Sequence, residues 1–209
     1  MTQPTETMDT HVLARTAAHL AERYEGIFSP ETVERYVFES YATLSRTARI
    51  RTYLAATAGH FADDRLRALA QSQGKIDKPV AQVLFVCVHN IGRSQIAAAL
   101  LSHHAGEQVE VRSAGSLPGT EVHPLVVEAL EERGIDLAHA YPKPLTDDVV
   151  RAADYVITMG CGDACPVYPG KRYWDWGIAD PSEETLEGVR TIVDAIDTRV
   201  QALWDQIRN

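Results

Sequence analysis

Cysteines, basic residues and long apolar runs are all scarce in this 209-residue sequence. No stretch approaches the ~18 consecutive apolar residues of a membrane span, and the polar start MTQPTETMDTH lacks the basic and apolar segments of a secretion signal. We therefore expect a cytoplasmic protein. The net charge of −9 disfavours nonspecific binding to nucleic acids and membranes, because their phosphate groups attract basic surfaces.

The cysteine count is three, an odd number. In a reducing compartment lasting disulfides are rare, and those that form are usually transient and catalytic. A structural disulfide framework is therefore disfavoured. The apolar share of 45% and the charged share of 23% are ordinary for a folded protein and exclude a disordered or fibrous chain.

Residues 1–78 show helical spacing only, and the glycine and proline between Gly74 and Pro79 indicate a linker. We predict a small all-α domain of three helices there. Ser29 followed by Pro30 is typical of the start of the second helix, and the third helix is expected to be short. The apolar positions that indicate the helices include Leu13, Ala17, Leu20, Tyr24, Val33, Val37, Tyr41, Leu44, Phe61, Leu66 and Leu69.

Residues 79–209 alternate between strand and helix patterns, which is typical of an α/β domain with a parallel sheet. The predicted strands span residues 80–88, 109–113, 155–159 and 171–174. The predicted helices span residues 94–104, 122–133, 145–152 and 186–207. We predict a small doubly wound sheet of four parallel strands, with the ligand at the carboxyl ends of the strands.

A short loop joins the first predicted strand to the following helix, and five residues separate its cysteine from its arginine. Its residues are Cys87, Val88, His89, Asn90, Ile91, Gly92, Arg93 and Ser94. Backbone N–H groups before a helix converge on one point, where the helix dipole adds positive potential. The loop is therefore predicted to bind a tetrahedral oxyanion. His89, a lone loop histidine, is assigned no catalytic role.

The other residues of the loop have predicted roles in binding the anion, activating the sulfur or shaping the loop. Arg93 offers a planar fork for two oxygens of the anion, and Ser94 can donate to the sulfur of Cys87. The same donors stabilise a thiolate, so Cys87 is expected to be a nucleophile at neutral pH. Asn90 and Gly92 tolerate positive φ and let the loop curl. Taken singly, Cys87 would be an inert strand-end cysteine and Arg93 a solvated residue, but their combination disfavours that alternative.

A carboxyl group is predicted beside the same crevice, because Asp180-Pro181 follows the last predicted strand. Attack by sulfur on a tetrahedral anion expels an oxygen that needs a proton, and Asp180 is the candidate acid. The alternative is an Asp-Pro turn that caps the next helix. Asp175, in the same region, is assigned a structural role.

Cys161 and Cys165 follow the third predicted strand, which should end near the first. In a helical turn their Cβ atoms would lie ~5–6 Å apart, whereas a disulfide needs about 3.5–4.5 Å, so the pair closes only after a rearrangement. Gly160 and Gly162 would ease it, and such a pair suits thiol–disulfide exchange. The alternatives are buried inert thiols or a zinc site, which the spacing and the positive potential near Arg93 disfavour.

These motifs resemble those of the low-molecular-weight tyrosine phosphatase fold family and, within it, of the thioredoxin-coupled arsenate reductases. The resemblance spans roughly residues 80–209. It rests on the loop from Cys87 to Ser94, on Trp176-Gly177 leading to Asp180-Pro181-Ser182, and on the cysteine pair.

The resemblance implies a reaction and a role for each of five residues. Cys87 would attack the arsenic of arsenate, which Arg93 and the loop amides bind, while Asp180 protonates the leaving oxygen. Cys161 would then attack the sulfur of Cys87 and release arsenite. Cys165 would resolve that disulfide, and thioredoxin would reduce the resulting pair. We expect no cofactor and no metal.

The sequence departs from this family in three places. Ile91-Gly92 stands where many relatives carry a second loop cysteine. The next helix begins Gln95-Ile96-Ala97-Ala98-Ala99 and lacks the acidic residue through which some relatives bind potassium, which argues against such a site. The first 78 residues resemble an extension of some actinobacterial members and carry ten acidic and ten basic side chains, so the net charge of −9 lies on the remainder. We expect them to have a packing or homodimerising role.

Three other functions stay open. A phosphotyrosine phosphatase would need Cys87, Arg93 and Asp180 but not the cysteine pair, and Ser182-Glu183 offers no aromatic side chain to clamp a phenyl ring. A mycothiol-dependent reductase would need Cys87 alone. A non-enzymatic arsenic sensor is disfavoured because the acid and the anion loop are both present.

Overall fold

The computed structural model of the protein describes residues 4–48, 51–162 and 165–209. The chain forms two compact units, one ending at Asp77 and the other beginning at Lys78. The first unit is helical, and the second combines a sheet with helices. Within the described ranges no helix is long and apolar enough to cross a membrane.

The helical unit contains α1 (Pro4–Arg23), α2 (Pro30–Ser45) and α3 (Leu54–Ser72), which confirms the prediction of three helices. At the start of α2, Ser29 Oγ accepts a hydrogen bond of 3.3 Å from the backbone N–H of Thr32, as expected for a capping serine. The buried core of the unit includes Leu13, Ala17, Leu20, Tyr24, Val33, Val37, Leu44, Leu54, Ala58, Phe61 and Leu66.

The third helix is not short: α3 has 19 residues and α2 has 16. Its first turns hold Thr57 and Gly59, which have low intrinsic helix propensity. Gly59 is needed for packing, because a Cβ there would lie 2.8 Å from the Cγ2 of Thr16 on α1. Packing against α1 therefore favours a helix that already begins at Leu54. The local sequence pattern did not indicate this early start.

The second unit is built on a parallel sheet, which confirms the predicted fold class. Its strands are β1 (Ala81–Cys87), β2 (Val109–Gly115), β3 (Tyr155–Met159) and β4 (Arg172–Asp175), in the order β2-β1-β3-β4. All three neighbouring pairs are parallel. β1 is central and almost wholly buried, which explains its continuous apolar sequence. The chain leaves β1 toward β2 and returns to its other side as β3, so a ligand crevice is expected between the ends of β1 and β3.

The helices of this unit are α4 (Arg93–Ala105), α5 (Pro124–Glu131), α6 (Asp147–Ala152) and α7 (Leu186–Arg208). Short 3-10 helices span Gly106–Gln108 and Pro181–Glu183. α4 packs on β1 and β2 and against α7, which also contacts α5. One face of α7 carries apolar residues at helical spacing, and this face is buried: Val189, Val193, Ile196, Val200 and Leu203. These helices hold β1 and the start of α4 in fixed positions.

Candidate active site

Cys87 is the last residue of β1 and only 2% exposed. The sheet register pairs it with Gly115 of β2 on one side and with Met159 of β3 on the other. The thiol therefore lies at the point where the strand order reverses. The chain then turns through the anion loop, residues 87–94, and enters α4 at Arg93.

The sulfur of Cys87 has two hydrogen-bonding neighbours within its own loop. The backbone N–H of Asn90 donates to Sγ at 3.2 Å, and Ser94 Oγ lies 3.0 Å from it. The Asn90 side-chain amide donates to Ser94 Oγ at 2.7 Å. Because that oxygen already accepts one bond, the single hydrogen of Ser94 is available for the sulfur, which favours Ser94 as the donor.

The curl of the loop depends on Asn90 and Gly92 in different ways. Asn90 has φ 51°, in the left-handed region, as the sequence suggested. Gly92 has φ −136°, so the loop does not use the positive φ that glycine tolerates at this position. Glycine is required at this position for space, because a Cβ would lie 2.5 Å from the Cγ of Pro181. The segment that carries Asp180 can therefore approach the anion loop closely.

A second loop, residues 115–123, supports the anion loop, and the sequence did not indicate this. Four backbone N–H groups of the second loop donate to backbone carbonyls of the anion loop at 2.8–3.2 Å. The pairs are Ser116 to Cys87, Leu117 to Val88, Gly119 to His89 and His123 to Ile91. A Cβ at Gly115 would lie 2.8 Å from the carbonyl oxygen of Val88, and one at Gly119 would lie 2.6 Å from Cγ2 of Ile91. The two glycines were the available signal, since they mark close approach of a backbone.

Arg93 and Asp180 meet although 87 residues separate them. Nη2 of Arg93 donates to Oδ2 of Asp180 at 2.6 Å, and Nη1 donates to the carbonyl oxygen of Ile178 at 3.4 Å. Arg93 is only 9% exposed. Gly160, with φ 75°, also lies against the guanidinium, because a Cβ there would be 2.8 Å from Nη1. The guanidinium therefore contacts both the Asp180 loop and the residue that precedes Cys161.

Asp180 is ionised in this arrangement. Partial desolvation tends to raise its pKa, but the hydrogen bonds from Ser182 and the charges of Arg93 and His89 outweigh it and hold the pKa of the carboxyl below its usual value. Asp180 Oδ1 accepts from the backbone N–H of Ser182 at 3.1 Å, so it also caps the 3-10 helix after it. The helix after that, α7, is capped by Thr185 instead. The two alternatives for Asp180 are therefore compatible.

Cys161 and Cys165 are free thiols and both are buried. Burial, more than any other factor, raises the pKa of Cys161, and the charges of Cys87 and Asp175 raise it further against backbone hydrogen bonds that lower it. Burial raises the pKa of Cys165 to about 11, and Cys161 adds to this rise. The sheet register places Cys161 two residues beyond Met159, the β3 partner of Cys87, so the cysteine pair follows the strand that adjoins the Cys87 strand.

The helical turn expected between the paired cysteines lies outside the described residues, because positions 163 and 164 do. Asp175, at the end of β4, accepts a hydrogen bond of 2.7 Å from the Thr158 hydroxyl. Among the residues that the structure describes, no cluster of three or more His, Cys, Asp or Glu side chains is arranged to hold a metal ion.

Comparisons with known proteins cover both units. Residues 82–209 match the family described as low molecular weight phosphotyrosine protein phosphatase, and residues 13–70 match the protein-tyrosine-phosphatase-like N-terminal domain. A thioredoxin-dependent arsenate reductase of Corynebacterium glutamicum is 58% identical, with a TM-score of 0.86 over 95% of this chain and 97% of that one. A putative arsenate reductase of Halobacterium salinarum is 35% identical over 127 residues, 58% of this chain and 89% of the relative. An arginine phosphatase of Geobacillus stearothermophilus is 28% identical, with a TM-score of 0.54 over 61% and 93% of the two chains.

Proposed function

Because the chain belongs to the low-molecular-weight phosphotyrosine protein phosphatase family, we propose that it reduces arsenate to arsenite in arsenic detoxification, with electrons from thioredoxin. The relatives named as arsenate reductases support this proposal, and the one from Corynebacterium glutamicum is thioredoxin-dependent. The observation that carries it is that the free thiols of Cys161 and Cys165 follow Gly160, which lies against Arg93 of the anion loop that also holds the free thiol of Cys87.

Arsenate binds in the anion loop, where the guanidinium of Arg93 and the loop amides meet its oxygens. The guanidinium of Arg93 is paired with one anionic group of the protein, the carboxylate of Asp180, at 2.6 Å. Arsenate therefore displaces Asp180 from the guanidinium. Once Arg93 turns to the substrate, one of the interactions that lower the pKa of Asp180 is weakened, which shifts the carboxyl toward the protonated form that an acid catalyst needs.

In the first chemical step the thiolate of Cys87 attacks arsenic. A sulfur–arsenic bond forms, an arsenic–oxygen bond breaks, and the oxygen leaves as water after Asp180 donates a proton. The donors of Asn90 and Ser94 at the sulfur stabilise the thiolate before attack.

In the second step the thiolate of Cys161 attacks the sulfur of Cys87. A disulfide forms, the sulfur–arsenic bond breaks, and its electron pair reduces As(V) to As(III), which leaves as arsenite. Gly160 lies directly against Arg93, which supports the short approach that Cys161 needs. The thiolate of Cys165 then attacks the sulfur of Cys161 and releases Cys87 as a thiolate.

The Cys161–Cys165 disulfide is the product that the dithiol of thioredoxin reduces with two electrons. The positive φ of Gly160 and Gly162 lets the backbone around Cys161 change direction without a Cβ penalty. The raised pKa of Cys165, about 11, lowers the fraction of reactive thiolate while this sulfur is buried, and a rearrangement that exposes the sulfur raises that fraction again.

The proposal is tested by arsenate-dependent NADPH oxidation with thioredoxin and thioredoxin reductase, comparing the native chain with Cys165→Ser. The native chain should turn over continuously, whereas Cys165→Ser should release at most one arsenite per chain. If the substitution is silent and a mycothiol-based system is required instead, Cys87 acts alone with a small thiol and the relay is wrong.

A phosphatase is the second candidate, because the anion loop, Arg93 and Asp180 would serve a phosphate ester equally well and one relative is an arginine phosphatase. Such an enzyme has no use for the paired thiols. Hydrolysis of p-nitrophenyl phosphate that persists in Cys161→Ser, together with no arsenate reduction by the native chain, would favour this second function.

A further inference from the structure

Gln95 is a buried polar residue that the reaction above does not use. It lies in the first turn of α4, is 4% exposed and is followed by the buried apolar residues Ile96 and Ala97. Its side-chain nitrogen donates to three oxygens: the carbonyl of Asn90 at 3.1 Å, Oδ1 of Asn90 at 3.1 Å, and the carbonyl of Tyr141 at 3.0 Å. One amide thus joins α4, the anion loop and the segment that follows α5.

Asn90, the main partner of Gln95, has an uncommon backbone conformation. It is the one non-glycine residue with positive φ among the described residues, and it is fully buried. Asparagine adopts this backbone region more readily than other residues with a Cβ but less readily than glycine, so surrounding contacts stabilise it there. The contacts present are the two from Gln95 and one of 2.8 Å from the backbone N–H of Lys143 to Oδ1.

These contacts also fix which way the Asn90 amide faces. Its oxygen accepts from Gln95 and from Lys143, so its nitrogen points to Ser94, to which it donates at 2.7 Å. That bond leaves the hydroxyl hydrogen of Ser94 for the sulfur of Cys87. The backbone N–H of Asn90 supplies the second donor to the sulfur. Both donors at the sulfur therefore depend on the conformation of Asn90.

We propose that Gln95 is a positioning residue for the nucleophile: it holds Asn90 in the left-handed conformation and so directs two hydrogen-bond donors at the sulfur of Cys87. The inference rests on the proposed function only in taking Cys87 as the nucleophile. Gln95 touches neither the sulfur nor the oxyanion site and acts through Asn90 and Ser94.

The test measures labelling of Cys87 by iodoacetamide as a function of pH in the full chain, with peptide-resolved mass spectrometry to separate the three cysteines. In Gln95→Met, which keeps the volume and loses the donors, the pH of half-maximal labelling should rise by about one unit, because the thiolate loses the geometry of two donors. Gln95→Ala also removes the donors and should give the same shift, so it replaces Gln95→Met if the methionine variant does not fold.

Gln82→Met is the matched control, because Gln82 is also fully buried and lies at the other end of β1, where it bonds to Glu110 and Arg112. It should lower stability without moving the Cys87 profile. An unchanged profile in folded Gln95→Met and Gln95→Ala, or an equal shift in Gln82→Met, would overturn the inference. Labelling needs no arsenate, so a shift in Gln95→Met would stand even if the native chain failed to reduce arsenate.

Discussion

The anion loop and the described residues of the cysteine-pair segment, 160–162 and 165–166, follow neighbouring strands at the carboxyl end of the sheet and have different contacts. The anion loop is fixed by side-chain bonds from Gln95 and by backbone bonds from residues 115–123. In the cysteine-pair segment, two glycines have positive φ, and the carbonyl of Pro166 accepts from Cys165 Sγ at 3.9 Å and from Tyr173 Oη at 3.2 Å. The difference agrees with the proposed function, in which a preorganised anion site lies beside a cysteine pair that rearranges.

The substitution with the largest expected effect tests whether the reaction at the anion loop needs Asp180 as an acid. In Asp180→Asn, arsenate turnover should fall by about 10²-fold or more, because proton transfer to the leaving oxygen is lost. Inorganic phosphate should bind more tightly, since the competing carboxylate at Arg93 is gone. Steady-state kinetics and calorimetric titration with phosphate measure the two effects.

Glu183→Gln is the control for Asp180→Asn, because Glu183 is an exposed carboxylate in the 3-10 helix that Asp180 caps. It removes the same charge from the same loop and should change neither quantity. If Asp180→Asn weakened phosphate binding, the carboxylate would not be a competitor of the anion, and the displacement step would be wrong.

The next effect concerns the contact between the two regions, Gly160 against Arg93. Gly160→Ala should weaken phosphate binding by roughly tenfold, about 1.4 kcal/mol, because its Cβ would lie 2.8 Å from Nη1 of Arg93 and push the guanidinium aside. Gly162→Ala is matched in backbone strain, with φ 53° but no atom within 4 Å of the added Cβ. Equal losses of phosphate affinity in both variants would show that strain, and not the Arg93 contact, is responsible.

The smallest expected effect concerns the cysteine-pair segment alone and is measured on the native chain, without a substitution. Burial is the main cause that raises the pKa of Cys165 to about 11, whereas an unfolded thiol has a pKa of about 8.5. Between these two pH values the buried thiol is neutral and an unfolded thiol is ionised. In the native chain, alkylation of Cys165 should therefore keep increasing from about pH 8.5 toward 11. In urea the labelling rate should level off near pH 9; a plateau there in the folded protein would contradict the burial of this thiol.

Much of the fold followed from local patterns. The four strands and four helices of the second unit lie within a few residues of their predicted bounds, because apolar runs and helical spacing are properties of consecutive residues. The start of α3 did not follow, since Gly59 belongs in a helix only because α1 packs against it. The packing or homodimerising role of α1–α3 stays a prediction.

By itself, the sequence determined the anion loop, because Cys87 to Ser94 are eight consecutive residues between a strand and a helix, and their spacing alone indicates the chemistry. The tertiary structure decided which distant groups meet there. Arg93 pairs with Asp180 across 87 residues, and Gln95 reaches Tyr141 across 46. These contacts depend on the strand order β2-β1-β3-β4 and on close backbone approaches at glycines. Patterns of consecutive residues indicate neither feature, because both arise only when separate segments pack together.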